Sequence, residues 1–285
     1  CVRIEFGPID EAAIAAAQLG AEVTVVERAG IGGSAVITDV VPSKTLIATA
    51  DAAVAIKGAG DLGVQLFARG AEGKPLKPEI AINMGAVNKR LLSLARQQSD
   101  DMRASLVEAG VRIISGYGRL DSDNAVVVST GPKGTDFDRI EADTLLVSVG
   151  ASPRELPSAK PDGERILTWT QLYDMTALPE HLIVVGSGVT GAEFASAYMN
   201  LGAKVTLVSS REQVLPGEDR DAASVLEKVF KRGGMTVLSK SRAEKVERQG
   251  DGVLVTLADG RTVEGSHCLM AVGSIPNTAG IGLEE

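Results

Sequence analysis

The chain has 285 residues, enough for about two domains, and its 44% apolar and 23% charged residues are ordinary for a folded globular protein. A net charge of −8 argues against a broad nucleic-acid surface, and no apolar run reaches the roughly 18 residues that a membrane helix needs. Cys1 and Cys268 make neither a disulfide framework nor a metal motif, so no metal site is expected and a cytoplasmic location is. No secretory leader pattern is recognised, and the start at Cys1 without Met suggests sequence missing at that end.

In chain order, residues 2–6 predict a short strand, 11–19 an Ala-rich helix ended by Gly20, and 22–26 a strand that delivers Glu27. This is a βαβ layout, and Glu27 stands where an acid would bind a ribose. The glycine fingerprint expected between that strand and helix is absent: Gly7-Pro8-Ile9-Asp10 replaces it. Residues 30–44 form a glycine-rich turn leading into a helix that runs to about residue 56. Residues 57–80 are Gly- and charge-rich, a surface excursion. A long amphipathic helix follows over 87–109, stopped by Gly110, then a strand over 111–114. Strands over 125–129 and 139–149 form a small meander ending in Ser148-Val149-Gly150. Pro153, Pro157, Pro161 and Pro179 mark a domain crossing, with Trp169 and Tyr173 as packing anchors.

The second half carries the strongest signal. Ile183-Val184-Val185 reads as a buried strand, followed by Gly186-Ser187-Gly188-Val189-Thr190-Gly191, an Ala-rich helix to Leu201, and a returning strand over 204–208. Gly186 suits the tight turn, Gly188 admits a pyrophosphate to the backbone, and Gly191 lets the helix pack on its strand. The helix N-terminus at Val189 and Thr190 offers free N–H groups to the anion. Ser209-Ser210-Arg211 then stands where NAD binders carry an acid. Two hydroxyls and a guanidinium favour the 2′-phosphate of NADPH, with NADH also usable; a plain polar turn is the alternative, and Glu212 dilutes the charge. A helix over 221–231, a strand over 235–238, a hairpin across Ala258-Asp259-Gly260 and a strand over 268–272 before Gly273 complete the half.

The two halves repeat one plan, each closing on a strand that ends in Val-Gly. The expected fold is α/β: two tandem Rossmann-like dinucleotide-binding domains, each with a small antiparallel meander. The boundaries expected are 1–152, 153–275 and a return to the first domain over 276–285.

Four stretches make the chain resemble the FAD-dependent pyridine nucleotide–disulfide oxidoreductases of the lipoamide dehydrogenase type. Gly32-Gly33-Ser34 through Pro42-Ser43-Lys44 matches the family's G-G-T-C-x4-C-x-P-S-K, and Ser148-Val149-Gly150 stands at its A-T-G. Leu178-Pro179 before the Gly186 loop matches, as does Gly273-Ser274-Ile275-Pro276-Asn277-Thr278. The resemblance implies FAD on the first domain and NADPH or NADH on the second. It places Gly32, Gly33, Ser34, Ser43 and Gly150 at the flavin, and Gly118 near its adenine. It places Ala243 and 271–274, with Ala271 and Gly273, along the nicotinamide nucleotide. It also implies Lys44 near the reacting edge of the flavin, paired with Glu193 as a desolvated catalytic ion pair.

Ala35 and Val40 occupy both redox-cysteine positions, and neither can form a thiolate. Within the family the chain looks most like the lipoamide-dehydrogenase-like NAD(P)H:quinone reductases of actinobacteria, which pass electrons from flavin to a quinone without disulfide chemistry. A soluble pyridine nucleotide transhydrogenase and a non-catalytic dinucleotide-binding fragment stay open as alternatives. The family continues beyond residue 285 with a further flavin-holding segment and a dimerisation domain, so a homodimer is expected of the full-length protein. His181 and His267 match no catalytic pair and read as structural or exposed.

Overall fold

The structure is a computed structural model that describes residues 10–65, 67, 79–131 and 136–283, and the backbone of 2–5. Gly7-Pro8-Ile9, where the first glycine fingerprint is missing, lie outside the described residues, as do Cys1, Phe6 and most of the excursion over 66–78. The chain divides into two compact units: Cys1–Pro42, Leu91–Ser152 and Ser274–Glu285 form the first, and Ser43–Arg90 and Pro153–Gly273 the second.

The first unit opens with β1 (Val2–Glu5), α1 (Asp10–Gln18) and β2 (Thr24–Glu27). Two short steps follow, α2 (Gly33–Ile37) and the start of α3 (Val40–Lys57), then the end of α4 (Met84–Glu108) and β3 (Arg112–Ser115). β4 (Tyr117–Ser122), β5 (Ala125–Thr130) and β6 (Asp136–Glu141) make an antiparallel meander, and β7 (Leu145–Ser148) returns to the parallel sheet, whose order is β3-β2-β1-β7. Successive residues of β2 face opposite sides of that sheet. Val25 packs with Ala13, Ile31, Leu106 and Val111 on the helical side, while Val26 packs with Val126, Val128 and Val149 on the meander side. The strand expected over 139–149 is therefore two. Residues 142–144 break it, because one half pairs antiparallel with β5 and the other parallel with β1.

After β8 (Ala151–Pro153), the second unit runs β9 (Ile166–Leu167), β10 (His181–Val185), α5 (Val189–Leu201), β11 (Lys204–Val208), α6 (Arg220–Arg232) and β12 (Thr236–Leu238). β13 (Ala243–Gln249), β14 (Gly252–Leu257) and β15 (Thr262–Gly265) form its meander, and β16 (His267–Met270) closes the parallel sheet, ordered β12-β11-β10-β16-β9. Ile183 and Val185 of β10 pack on Val253 and Val255 of the meander. α5 buries Phe194, Ala195 and Tyr198, and Gly202 ends it in the left-handed conformation at φ 115°. Asp219 caps α6 by accepting from the N–H groups of Asp221 and Ala222. Trp169 and Tyr173 are buried, with Tyr173 against Phe194 at 6.1 Å between ring centres. β17 (Ser274–Pro276) pairs with β8.

The strand orders β3-β2-β1-β7 and β12-β11-β10-β16 are the same topology used twice, which is the repeat the sequence pattern implied. Residues 43–90, counted with the first domain on sequence grounds, belong to the second unit by compactness. The reason is local bonding: Lys44 and Lys57 of α3 bond to Glu193 and Asn200 of α5, and Asn88 of α4 donates to the carbonyls of Leu172 and Met175.

Candidate functional site

The glycine loop of the second unit is built by steric necessity at two of its three glycines. Gly186 follows β10 at φ 112°, and a Cβ there would stand 2.1 Å from the carbonyl oxygen of Ala271. Ala271 is held in that place by its own N–H, which donates to Val185 O at 2.8 Å. A Cβ on Gly191 would stand 1.9 Å from the Gly186 oxygen. Gly188 differs. It is the N-cap of α5 at φ −69°, is exposed, has no side-chain cap, and a Cβ there would meet nothing within 4 Å. Space above Gly188 at an uncapped helix N-terminus, with Val189 and Thr190 in the first turn, is what a pyrophosphate requires.

Beside that loop lies a cavity of about 530 Å³, whose lining includes Gly186, Ser210, Arg211, Ala243 and Val272. Ala271 is buried, and Gly273 has φ 98° with its carbonyl accepting from the N–H of Arg154 at 2.9 Å. Ser209 does not line the cavity. It is 0% exposed, its Oγ lies 2.6 Å from Ser187 Oγ, and it accepts from the N–H of Arg211 at 3.1 Å. Its hydroxyl is thus spent on joining the glycine loop to the end of β11, which leaves Ser210 and Arg211 on the cavity lining. Ser241, Arg242 and Lys245 also line this cavity. Sequence reading missed them because they enter from the start of the meander, a segment with no nucleotide-binding pattern of its own.

In the first unit, Glu27 ends β2 only 2% exposed. Its Oε1 accepts from the N–H groups of Ala29 at 2.5 Å and Gly30 at 3.1 Å. Its Oε2 is buried and has no hydrogen-bond partner among the described residues. Burial holds the carboxyl above its usual range, against the opposing pull of those N–H groups. A buried carboxylate oxygen without a partner suits a ribose diol, so this residue fits the adenosine half of a dinucleotide.

Gly32 and Gly33 turn the chain at φ 88° and 55°, and a Cβ on Gly32 would stand 2.3 Å from Val36 Cγ2. Ser34 lies in the first turn of α2, its carbonyl accepting from the N–H groups of Thr38 and Asp39, and Ser43 is buried in α3. Gly118 is buried in β4. Gly150 has φ 62°, and Asn277 fastens it: its N–H donates to Gly150 O and its Nδ2 to Val149 O, both at 3.0 Å. The G-x-x-P-N-T stretch thus closes the first unit by hydrogen bonds from Asn277.

Ala35 and Val40 put a methyl and an isopropyl group where the family has thiols. Cys268 lies fully buried in β16 with its thiol 3.9 Å from Met270 Sδ, and burial pushes its pKa well up. It is inert, as buried cysteines in apolar surroundings are.

Lys44 and Glu193 meet within the second unit: the ammonium of α3 bonds Glu193 Oε1 of α5. Glu193 lies one turn beyond Val189, on the face that leads from the glycine loop. The pair departs from expectation in one respect. The side chains are 54% and 28% exposed, so this is a half-solvated pair and not a desolvated one. Its own contribution to stability is that of a surface ion pair, about 0–1 kcal/mol.

His181 and His267 are structural. His181 Nε2 lies 2.8 Å from Thr206 Oγ1. His267 Nε2 lies 3.1 Å from Arg165 Nη1, so the ring must accept there and be neutral. Burial and then the Arg165 charge push its pKa down to about 4. Among the described residues, no cluster of His, Cys, Asp and Glu could hold a metal ion, and no helix is long and apolar enough to cross a membrane.

Residues 11–285 match the family profile described as pyridine nucleotide-disulphide oxidoreductase. The chain is 50% identical over 283 residues to NAD(P)H dehydrogenase (quinone) of Mycobacterium tuberculosis, covering 96% of this chain and 55% of that protein. It is 31% identical over 278 residues to dihydrolipoyl dehydrogenase of Zymomonas mobilis, covering 96% of this chain and 57% of the relative. The crystal structure of LpdA from Mycobacterium tuberculosis superposes with a TM-score of 0.89 at 48% identity, over 99% of this chain and 60% of that one. The chain therefore spans little more than half the length of the relatives it matches.

Proposed function

This chain belongs to the pyridine nucleotide-disulphide oxidoreductase family, and from that premise we propose that it is the dinucleotide-binding part of an FAD-dependent NAD(P)H dehydrogenase. Electrons pass from NAD(P)H to a quinone-type acceptor, and the protein has no disulfide reductase activity. FAD, when bound, supplies the hydride acceptor and the route onward to the quinone.

The protein's own residues bind and orient. Glu27 holds an adenosine ribose of the flavin nucleotide, and the turns at Gly32, Gly33 and Gly150, with Ser34, Ser43 and Gly118, line that nucleotide's path. Gly188, Val189 and Thr190 receive the pyrophosphate of NAD(P)H. Gly186, Gly191 and Ala271 fix the loop, and Ser209 fixes the end of β11. Ser210, Arg211, Ala243 and Gly273 line the rest of the nicotinamide nucleotide's path. Lys44 holds a positive charge beside the reacting rings, where it stabilises negative charge developing on reduction, and Glu193 orients it. The domains 1–152 and 153–275, with 276–285 returning to the first, carry FAD and NAD(P)H respectively. A homodimer and a cytoplasmic location belong to the same reading.

One observation carries the quinone assignment. Disulfide reduction needs a thiolate beside the flavin and a second thiol to resolve the mixed disulfide. Ala35 and Val40 supply neither, and Cys268 is sealed in β16. The 50% identity to a protein named NAD(P)H dehydrogenase (quinone) supports the same acceptor class.

The test uses the full-length, flavin-loaded protein, assayed with a soluble quinone and with lipoamide. Quinone reduction without lipoamide turnover is expected. Lipoamide turnover at a rate near the quinone rate would overturn the reading. The Ala35→Cys, Val40→Cys double variant should gain a long-wavelength thiolate–flavin band on reduction, whereas Val40→Cys alone should not gain lipoamide turnover, because no resolving thiol would stand at position 35.

A further inference from the structure

The cavity beside the glycine loop is more positive than the stretch Ser209-Ser210-Arg211 alone accounts for. Arg242 lines it together with Arg211. Most acids nearby are already paired: Glu212 with Lys240 at 2.6 Å, Glu247 with Lys245 at 2.7 Å, and Asp259 with Arg261 at 2.7 Å. Among the described residues, Arg211 and Arg242 have no ion pair, and Glu244 is the one acid on the lining.

Two backbone hydrogen bonds hold the segments that carry these guanidinium groups side by side. The N–H of Lys240 donates to Arg211 O at 2.8 Å, and the N–H of Ser241 donates to Ser209 O at 2.7 Å. Lys240 adopts φ 53°, a left-handed conformation uncommon for a residue with a side chain, and the chain turns there before entering β13. Ser241 is buried, its Oγ accepting from Arg261 at 2.7 Å, so the position of the next residue is fixed on both sides.

We propose that Arg242 is a nucleotide-selectivity residue: with Arg211 it forms a two-guanidinium clamp for the 2′-phosphate of NADPH. This rests on the reading of the cavity as the NAD(P)H site. A phosphate dianion between two guanidinium groups accepts several charge-assisted hydrogen bonds, and the hydroxyl of Ser210 can add another. Glu244 opposes the clamp by repulsion but leaves a net positive charge across the three side chains. A ligand without the 2′-phosphate leaves both arginines to water, which costs little because they are exposed.

Binding of 2′,5′-ADP and 5′-AMP to the full-length protein, measured by calorimetry, isolates the 2′-phosphate without any turnover. Wild type is expected to bind 2′,5′-ADP the more tightly, with a preference that falls as salt rises. Arg242→Gln should weaken 2′,5′-ADP by about tenfold and leave 5′-AMP within about twofold, while Arg242→Lys keeps part of the preference. Glu244→Gln should tighten 2′,5′-ADP. Equal binding of the two probes by wild type would overturn the clamp, as would an equal loss of both in Arg242→Gln. Weaker binding of both probes in Glu244→Gln would make that acid the ribose partner and also overturn it. If neither probe binds, the cavity is not a dinucleotide site and the clamp falls with it. Absent quinone reduction with the 2′,5′-ADP preference intact would overturn the proposed activity and leave the clamp standing.

Discussion

Gly188→Ala separates folding from binding at the centre of the proposed NAD(P)H site. The added methyl meets nothing within 4 Å, and the native φ of −69° is open to alanine. Two effects on stability oppose each other. Restricting the unfolded chain gains about 0.4–1 kcal/mol. Alanine is a poorer N-cap than glycine, by an amount on the order of that gain. The net is near zero, and the melting temperature without nucleotide should move by no more than about 3 °C. Binding is another matter, because the methyl stands where a pyrophosphate must approach the N-terminus of α5. Loss of even one hydrogen bond to a charged oxygen weakens binding by about 1.5–3 kcal/mol, or roughly ten- to a hundredfold. Gly191→Ala is the contrasting variant. Its methyl would lie 1.9 Å from the Gly186 oxygen, so loop or helix must shift. It should lose about 1–3 kcal/mol of stability, a fall of several degrees, before any nucleotide is added. Thermal melts with and without NADPH, together with NADPH titrations, read both quantities. Wild-type affinity in Gly188→Ala would refute the placement of the pyrophosphate. A large loss of stability in the same variant would refute the open space above that residue.

Glu193→Ala should change stability by less than about 1 kcal/mol, since the pair with Lys44 is half-solvated, yet slow flavin reduction in the full-length protein. A non-additive effect on that rate in the Lys44→Ala, Glu193→Ala double variant checks the coupling by stopped-flow absorbance. Glu27 has a carboxyl pKa raised by burial, so its contribution to stability is present below the ordinary value of 4.5 and is lost as pH rises through the raised one. Glu27→Gln should therefore stabilise the flavin-free protein at pH 7 and not at pH 4, while weakening FAD; denaturant melts at the two pH values test the sign. His267, pushed down to about 4, prefers to be neutral when folded, so its contribution is present above the ordinary 6.5 and lost as pH falls through 4. An imidazole NMR titration should show that low value, and Arg165→Ala should raise it.

Much of this protein was legible in its sequence because the signals are local. The glycine loop after β10 follows from three residues at fixed spacing. The helix end at Gly202 is a local capping choice of the same kind. The repeated plan of two βαβ units was legible for the same reason, while the missing thiols at Ala35 and Val40 were legible only through the resemblance of residues 32–44 to the family motif. Only the tertiary structure decided matters that turn on distant partners. The stretch over 139–149 became two strands because its halves pair with different neighbours. Ser209 was withdrawn from the cavity lining by a hydroxyl contact to Ser187, 22 positions away in the chain. Arg242 came beside Arg211 through backbone hydrogen bonds between segments some thirty residues apart. The solvation of the Lys44–Glu193 pair, which sets its energetic weight, depends on how α3 lies along α5. Spacing along a chain specifies which residues share a turn or a face; burial and the use of a hydroxyl's lone pairs depend on everything that packs around them.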